Sequence, residues 1–382
     1  MNPENQNNRI EIRDARDFEI MKTPEIIIQE ERGAQLLSLL LKAENPEWGE
    51  TETPIAQETE KYFRENPLDA ETLKTIQEFQ DAGVDEETLY NLALTYQHPE
   101  RVEPVFAMMA KHKAHVENPQ EVYKKVISTL ESFDIHFSSS ELATRINEEI
   151  ELDKKKRMEG LSETKQRIEA LIDFFRPSAE ATNIKRLCFI PTDPLYKKNS
   201  GTAFLAFPGE QIIQSHIDNT LNQDHEFLHG IINPVVSKLE IQLDDQQKLR
   251  ISSLASEKLK RDYGDNYYSL LCEEFIRVYG QIFSRGERPE TYDTFAKKIE
   301  TIDEGQFQKF LLESDELRLR CQELGINSIE DLREKSKEYY DKFEADQLRD
   351  LIFDLYEEYV NRPDRDGINF ESFVLENFGR RI

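Results

Sequence analysis

The chain of 382 residues has no apolar stretch long enough to cross a bilayer. Its longest apolar cluster, LLSLLL at residues 36–41, falls far short of the roughly 20 residues a spanning helix needs. The N-terminus, MNPENQNNRIEIRD, has no apolar core, so no secretory signal is visible and a cytoplasmic location is expected. Cysteine is scarce: Cys188, Cys272 and Cys321 are scattered, odd in number and form no CxxC pair. That excludes a disulfide framework and points to buried thiols in a reducing compartment. Basic charge is also short, leaving a formal net charge of −27. Such a surface repels phosphates and anionic lipid, which argues against nucleic-acid or membrane partners. Internal repeats and low-complexity linkers are missing as well. With 38% hydrophobic and 33% charged residues, a soluble globular protein with a highly charged surface is expected.

Most of the chain reads as helix. Residues 1–20 are polar and aperiodic and are expected to form a tail. From Thr23 the chain reads as helical, with a break at NPEWGETETP. Asp69 and Asp85 are N-caps for a helix pair, with Gly83 at the first helix's end. Further helices fit residues 105–115, 119–133 and 139–158, and one capped by Ser162 runs to Phe175. The texture changes at Ile184. RLCFI reads as a buried strand, and TAFLAF and EQIIQSHI read as a hairpin joined by Pro208-Gly209, a pair suited to a type II turn. A helix follows from Asn219 or Thr220, interrupted or kinked near Pro234. Residues 246–260 read as one helix and 267–283 as another. Residues 284–303 read as a charged loop, and helices over 306–323, 328–342 and 344–360 follow. The expected class is α+β, mostly helical. Its divisions are an N-terminal helical region (21–180), a core with a small β-sheet (181–300) and a C-terminal helical extension (301–382).

Histidine is rare too, with seven in the chain and none after His229. Two of the seven stand in His225-Glu226-Phe227-Leu228-His229, an HExxH sequence. Residues four apart share a helix face, so His225 and His229 can both turn a nitrogen to one metal ion. Glu226 lies about 100° round the helix from His225, beside such an ion and placed to act as a general base. Catalytic zinc takes three protein ligands. With no later histidine, HExxHxxGxxH is excluded and a carboxylate is required. Glu273 and Glu274 interrupt an apolar helix and both are candidates, since a carboxylate among Leu270, Leu271, Phe275 and Ile276 is poorly solvated without a cation. Glu273 is preferred because it lies on the flank of its helix, as the histidines do on theirs, with Arg277 four residues on to hold its second oxygen. Tyr267, Tyr268 and His216 lie close in sequence to these elements and read as packing residues. Asp364-Arg365-Asp366-Gly367 suggests a calcium loop, but Arg362 and Phe373 would then fill positions that need oxygen donors, and the loop is rejected.

HExxH followed by a helical glutamate resembles the gluzincin zinc metallopeptidases. More closely, HEFLHGIINP with CEEFIRV is similar to an uncharacterised bacterial family of metallopeptidase-like proteins that carry HEFxHxxxxNP-like motifs and a later ExxxR helix. The resemblance covers about residues 24–285, including EKYFRENPLDAETLKTIQEF and DEETLYNLALTY. Leu228 and Gly230 depart from it, standing where a small polar residue and a bulkier one are common, and many relatives look exported. The resemblance implies a zincin-like core, Zn2+ held by His225, His229 and Glu273, Glu226 as the catalytic carboxylate, Arg277 as the family arginine, and hydrolysis of a peptide or protein substrate. The competing expectation is a non-enzymatic helical scaffold that keeps a structural or vestigial zincin site.

Overall fold

The computed structural model describes residues 18–49, 51–81, 84–111, 118–191, 195, 201–207, 209–216, 218–264, 266–280, 286 and 291–382. The expected tail lies outside them except for residues 18–20. There the chain is already tied down: Ile20 forms an antiparallel bridge with Ser178, and the Ala179 amide donates to the Glu19 carbonyl at 2.8 Å. The described chain is mostly helical with one small sheet, and it divides into two compact units, Phe18–Ile231 and Ile232–Ile382. Among the described residues no helix is long and apolar enough to cross a membrane.

In the first unit the helix Arg32–Glu44 is buried all round, from Gly33 through Lys42. Its leucines form the centre of a core shared with Phe63, Leu92, Leu130, Phe133 and Ile146. A lysine can occupy such a helix only if its charge is met: the Lys42 ammonium donates to the Trp48 carbonyl at 3.0 Å and to the Pro46 carbonyl. Asp69 and Asp85 accept from the amides of Thr72 and Thr88 at 2.8 and 2.7 Å, the N-caps their positions suggest. Gly83 lies outside the described residues. The helix ending at Phe175 begins at Leu161 with Gly160 before it, so Ser162 sits within its first turn rather than capping it.

The sheet has four strands, β1 (Glu25–Ile28), β2 (Arg186–Ile190), β3 (Gly201–Phe207) and β4 (Glu210–Ser215), in the order β1-β2-β4-β3. β1, β2 and β4 are parallel, and β3 runs antiparallel to β4 along the outer edge. The hairpin forms as its sequence suggests, with Gly209 at φ +83°. β1 corrects the helical reading from Thr23. Three consecutive isoleucines favour an extended chain, and Ile26, Ile27 and Ile28 pair with Leu187, Cys188 and Phe189, about 160 residues away. The three cysteines are free and buried.

The second unit is helical, and serine and threonine N-caps divide stretches that read as single helices or loops. Residues 246–260 are covered by two helices, Asp245–Leu254 and Glu257–Tyr263, the second capped by Ser256. The loop expected over 284–303 contains the helix Tyr292–Thr301, capped by Thr291. Ser314 likewise separates Glu304–Glu313 from Asp315–Glu323. Phe275, Tyr356, Tyr359, Phe370, Phe373 and Phe378 form an aromatic core with ring centroids 4.9–6.1 Å apart.

Candidate metal centre

His225 and His229 stand on the helix Thr220–Gln242, which begins where the Asn219 side chain accepts from the Asn222 amide at 3.1 Å. The helix is not interrupted at Pro234, although that residue brings no N–H for the Gly230 carbonyl. Its first turn is fixed by Arg167, which donates to Asp224 at 3.1 Å and to Gln223 at 2.8 Å. Burial raises the Asp224 pKa, partly offset by Arg167. Behind the motif, Gln211 of β4 is fully buried and donates to the Glu226 carbonyl at 2.7 Å. Gly230 allows that approach: a Cβ there would lie 2.5 Å from Ile184 Cδ1 and 2.8 Å from Gln211 Oε1. The glycine that departs from the resemblance is thus needed where this helix meets this strand.

The two imidazoles are half-buried, with ring centroids 5.0 Å apart and planes at 75°. Glu226 is 8% exposed. Farther along the same helix, Asn233 and Ser237 continue the four-residue spacing of His225 and His229. The Tyr268 hydroxyl meets both, 3.1 Å from Ser237 Oγ and 3.4 Å from the Asn233 carbonyl. Tyr267 donates to Glu240 at 2.5 Å. These tyrosines, which open the helix Tyr267–Val278, pin it to the motif helix. His216 accepts from the Asp218 amide at 3.3 Å in the turn before that helix.

Glu273 and Glu274 are both buried, at 8% and 0% exposed, but they have different partners. Glu274 accepts from Arg349 Nε at 2.8 Å. Burial raises its pKa, as does Asp346 nearby, against the opposing pull of Arg349. Glu273 instead offers a carboxylate oxygen to the histidine pair. Ligand atoms of His225, His229 and Glu273 all lie within 4.8 Å of one another, and such a group can hold a metal ion. Two imidazoles and one carboxylate are a donor set that leaves a tetrahedral ion one position for water.

Tyr263 is a residue the sequence reading did not identify. Its hydroxyl is hydrogen-bonded to Glu273 and accepts from Arg277 at 3.1 Å, with the Arg277 guanidinium 4.9 Å from its ring centre. Burial and the neighbouring Glu273 charge raise its pKa, so it remains a donor. A phenol that hydrogen-bonds one oxygen of a carboxylate fixes that carboxylate's orientation. His112 and His115 lie outside the described residues. His98 contacts Gln29 and Glu100, and His136 donates to the Ser132 carbonyl at 2.7 Å.

No family model matches the chain, and no curated protein or solved structure is significantly similar to it.

Proposed function

We propose that the protein is a zinc-dependent peptidase of gluzincin type with a zincin-like core. The observation that carries this reading is the convergence of His225, His229 and Glu273 within 4.8 Å, with Glu226 between the two histidines in sequence. When bound, zinc supplies a Lewis acid for the substrate carbonyl and lowers the pKa of its water towards roughly 7. The protein's own groups supply the rest. His225 and His229 would hold the ion from one helix face, and Glu273 would complete the ligand set, its carboxylate steadied by the Tyr263 hydroxyl. Glu226 takes a proton from the attacking water and passes it to the leaving amine, so a peptide bond is cleaved with one water consumed. β3, at the sheet edge, offers its backbone to an extended peptide substrate. A cytoplasmic setting agrees with three buried, unpaired thiols.

The test has two readouts. Purified protein should hold about one zinc per chain, and His229→Ala should lose most of it. At matched zinc loading, Glu226→Gln should cut turnover in a peptide-library digest by about 10²–10⁴ while leaving zinc and folding intact. No zinc uptake by the wild type would end the metal reading. Full zinc with equal cleavage by both proteins would remove Glu226 from its role. Full zinc with no cleavage by either would favour the helical scaffold with a structural site.

A further inference from the structure

The chain carries a formal charge of −27, yet one cavity of the second unit runs against that sign. It measures about 530 Å³ and is lined by Lys258, Arg277, Arg320 and Arg349, opposed by Glu344 and Asp346. Four cations line it against two carboxylates, and the buried Glu274 carboxylate pairs with one of the four, Arg349. The four come from four separate helices, Glu257–Tyr263, Tyr267–Val278, Asp315–Glu323 and Gln347–Asn361, so no single helical face explains their convergence. A second cavity of about 440 Å³ shares Arg320 and Phe343 with the first and adds Arg261, Leu319 and Glu323.

Part of this charge is spent internally. Arg320 pairs with Glu344 at 2.9 Å, and Arg349 with Glu274 at 2.8 Å and Asp346 at 3.5 Å. Those ion pairs hold the guanidinium planes in place. Lys258 has no such role: it is exposed and makes no ion pair among the described residues. Lys258 thus places an ammonium without an ion pair beside three arginines that are held by their own partners. Guanidinium forks match the geometry of carboxylate and phosphate oxygens, and an ammonium adds a point charge from the side. The volume is in the range of ligand-binding clefts. Its polar lining disfavours an apolar occupant.

We infer that this cavity is an oxyanion-binding site, taking a ligand with carboxylate or phosphate groups. The shared chemistry has two sources, a free small anion or the acidic side chains of a peptide, and the proposal needs no bound metal, although Arg277 also donates to Tyr263 beside Glu273.

The test is calorimetric titration of the full-length protein with three probes: inorganic phosphate, tricarballylate and a capped tetraglutamate peptide. At least one is expected to bind with one-to-one stoichiometry. Phosphate or tricarballylate alone would identify a free anion as the source, and the peptide alone would identify acidic side chains. Lys258→Glu is expected to weaken binding at least tenfold with an unchanged melting temperature, and Lys258→Arg to retain it. His229→Ala must leave the titration unchanged. Binding by none of the three probes at millimolar concentration, equal binding by Lys258→Glu, or loss of binding in His229→Ala would each overturn the proposal.

Discussion

Glu273 and Glu274 are neighbours on one helix, yet they serve two different regions of it. Glu274 faces the packed interior of the second unit, where Arg349 meets its charge and the Phe275 side of the helix is fixed by aromatic rings. Glu273 is almost as buried, but its neighbours include two imidazoles and a phenol. Burial alone therefore does not distinguish a carboxylate held by an ion pair from one set beside a histidine pair. The chemistry of the partner does. The guanidinium of Arg349 meets the Glu274 charge directly, whereas the neighbours of Glu273 include the two imidazoles with which it is proposed to hold a metal ion. The first unit supplies a control in Glu31, 2% exposed and paired with Arg101 at 2.8 Å, which belongs with Glu274 rather than Glu273.

The comparison is broken most forcefully at Arg349. Arg349→Met removes the partner of a fully buried carboxylate and should cost about 3–5 kcal/mol in denaturant unfolding, the usual penalty for breaking one side of a buried pair. Glu273→Gln should show the reverse profile. The metal-free protein should be close to wild type in stability. The stabilisation by zinc, about 2.7 kcal/mol at a hundredfold excess over the dissociation constant, should largely vanish. If Glu273→Gln unfolds the protein and Arg349→Met loses only zinc, the two carboxylates have been assigned the wrong way round.

A finer probe is Tyr263→Phe, which keeps the ring beside Arg277 and removes only the hydroxyl that holds Glu273. Outer-shell partners of this kind are worth about 10–100-fold in metal affinity. Zinc competition with a chelator should register that loss, while metal-free stability changes little. An unchanged affinity would make Tyr263 a packing residue.

How much of this was legible in the sequence follows from the range of each signal. His225 and His229 are four residues apart, and helical geometry alone brings them together. The hairpin strands and Asn219 are equally local. The preference for Glu273 over Glu274 came from helix flanks, a local property too, although what separates them physically is Arg349, 75 residues away. Tyr263 was missed because it belongs to a different helix, beyond the turn at Gly264, and no spacing rule spans such a turn. β1 was missed for a similar reason. Four residues carry too little periodicity to compete with the helix that follows, and the strand exists because β2 pairs with it. Arg277, four residues from Glu273, also donates to the Tyr263 hydroxyl, a partner on another helix that no local spacing indicates.

The smallest expected effect tests the control. Burial raises the Glu31 pKa against the opposing pull of Arg101 and His98, with Glu210 adding to the rise. An acid whose folded pKa exceeds its unfolded value binds more protons in the native state between the two. Stability then falls as pH rises from about 4.5 through the raised folded value, and is flat above it. Glu31→Gln cannot titrate, and Arg101 keeps Glu210 at 3.3 Å. The variant's unfolding free energy should therefore depend less steeply on pH over that window, by a fraction of the Arg349→Met effect. The measurement is a set of denaturant melts at closely spaced pH values, read as the difference between the two proteins so that other acids cancel. A difference that stays constant with pH would mean that Glu31 titrates alike in both states, and that its burial differs in kind from that of Glu274.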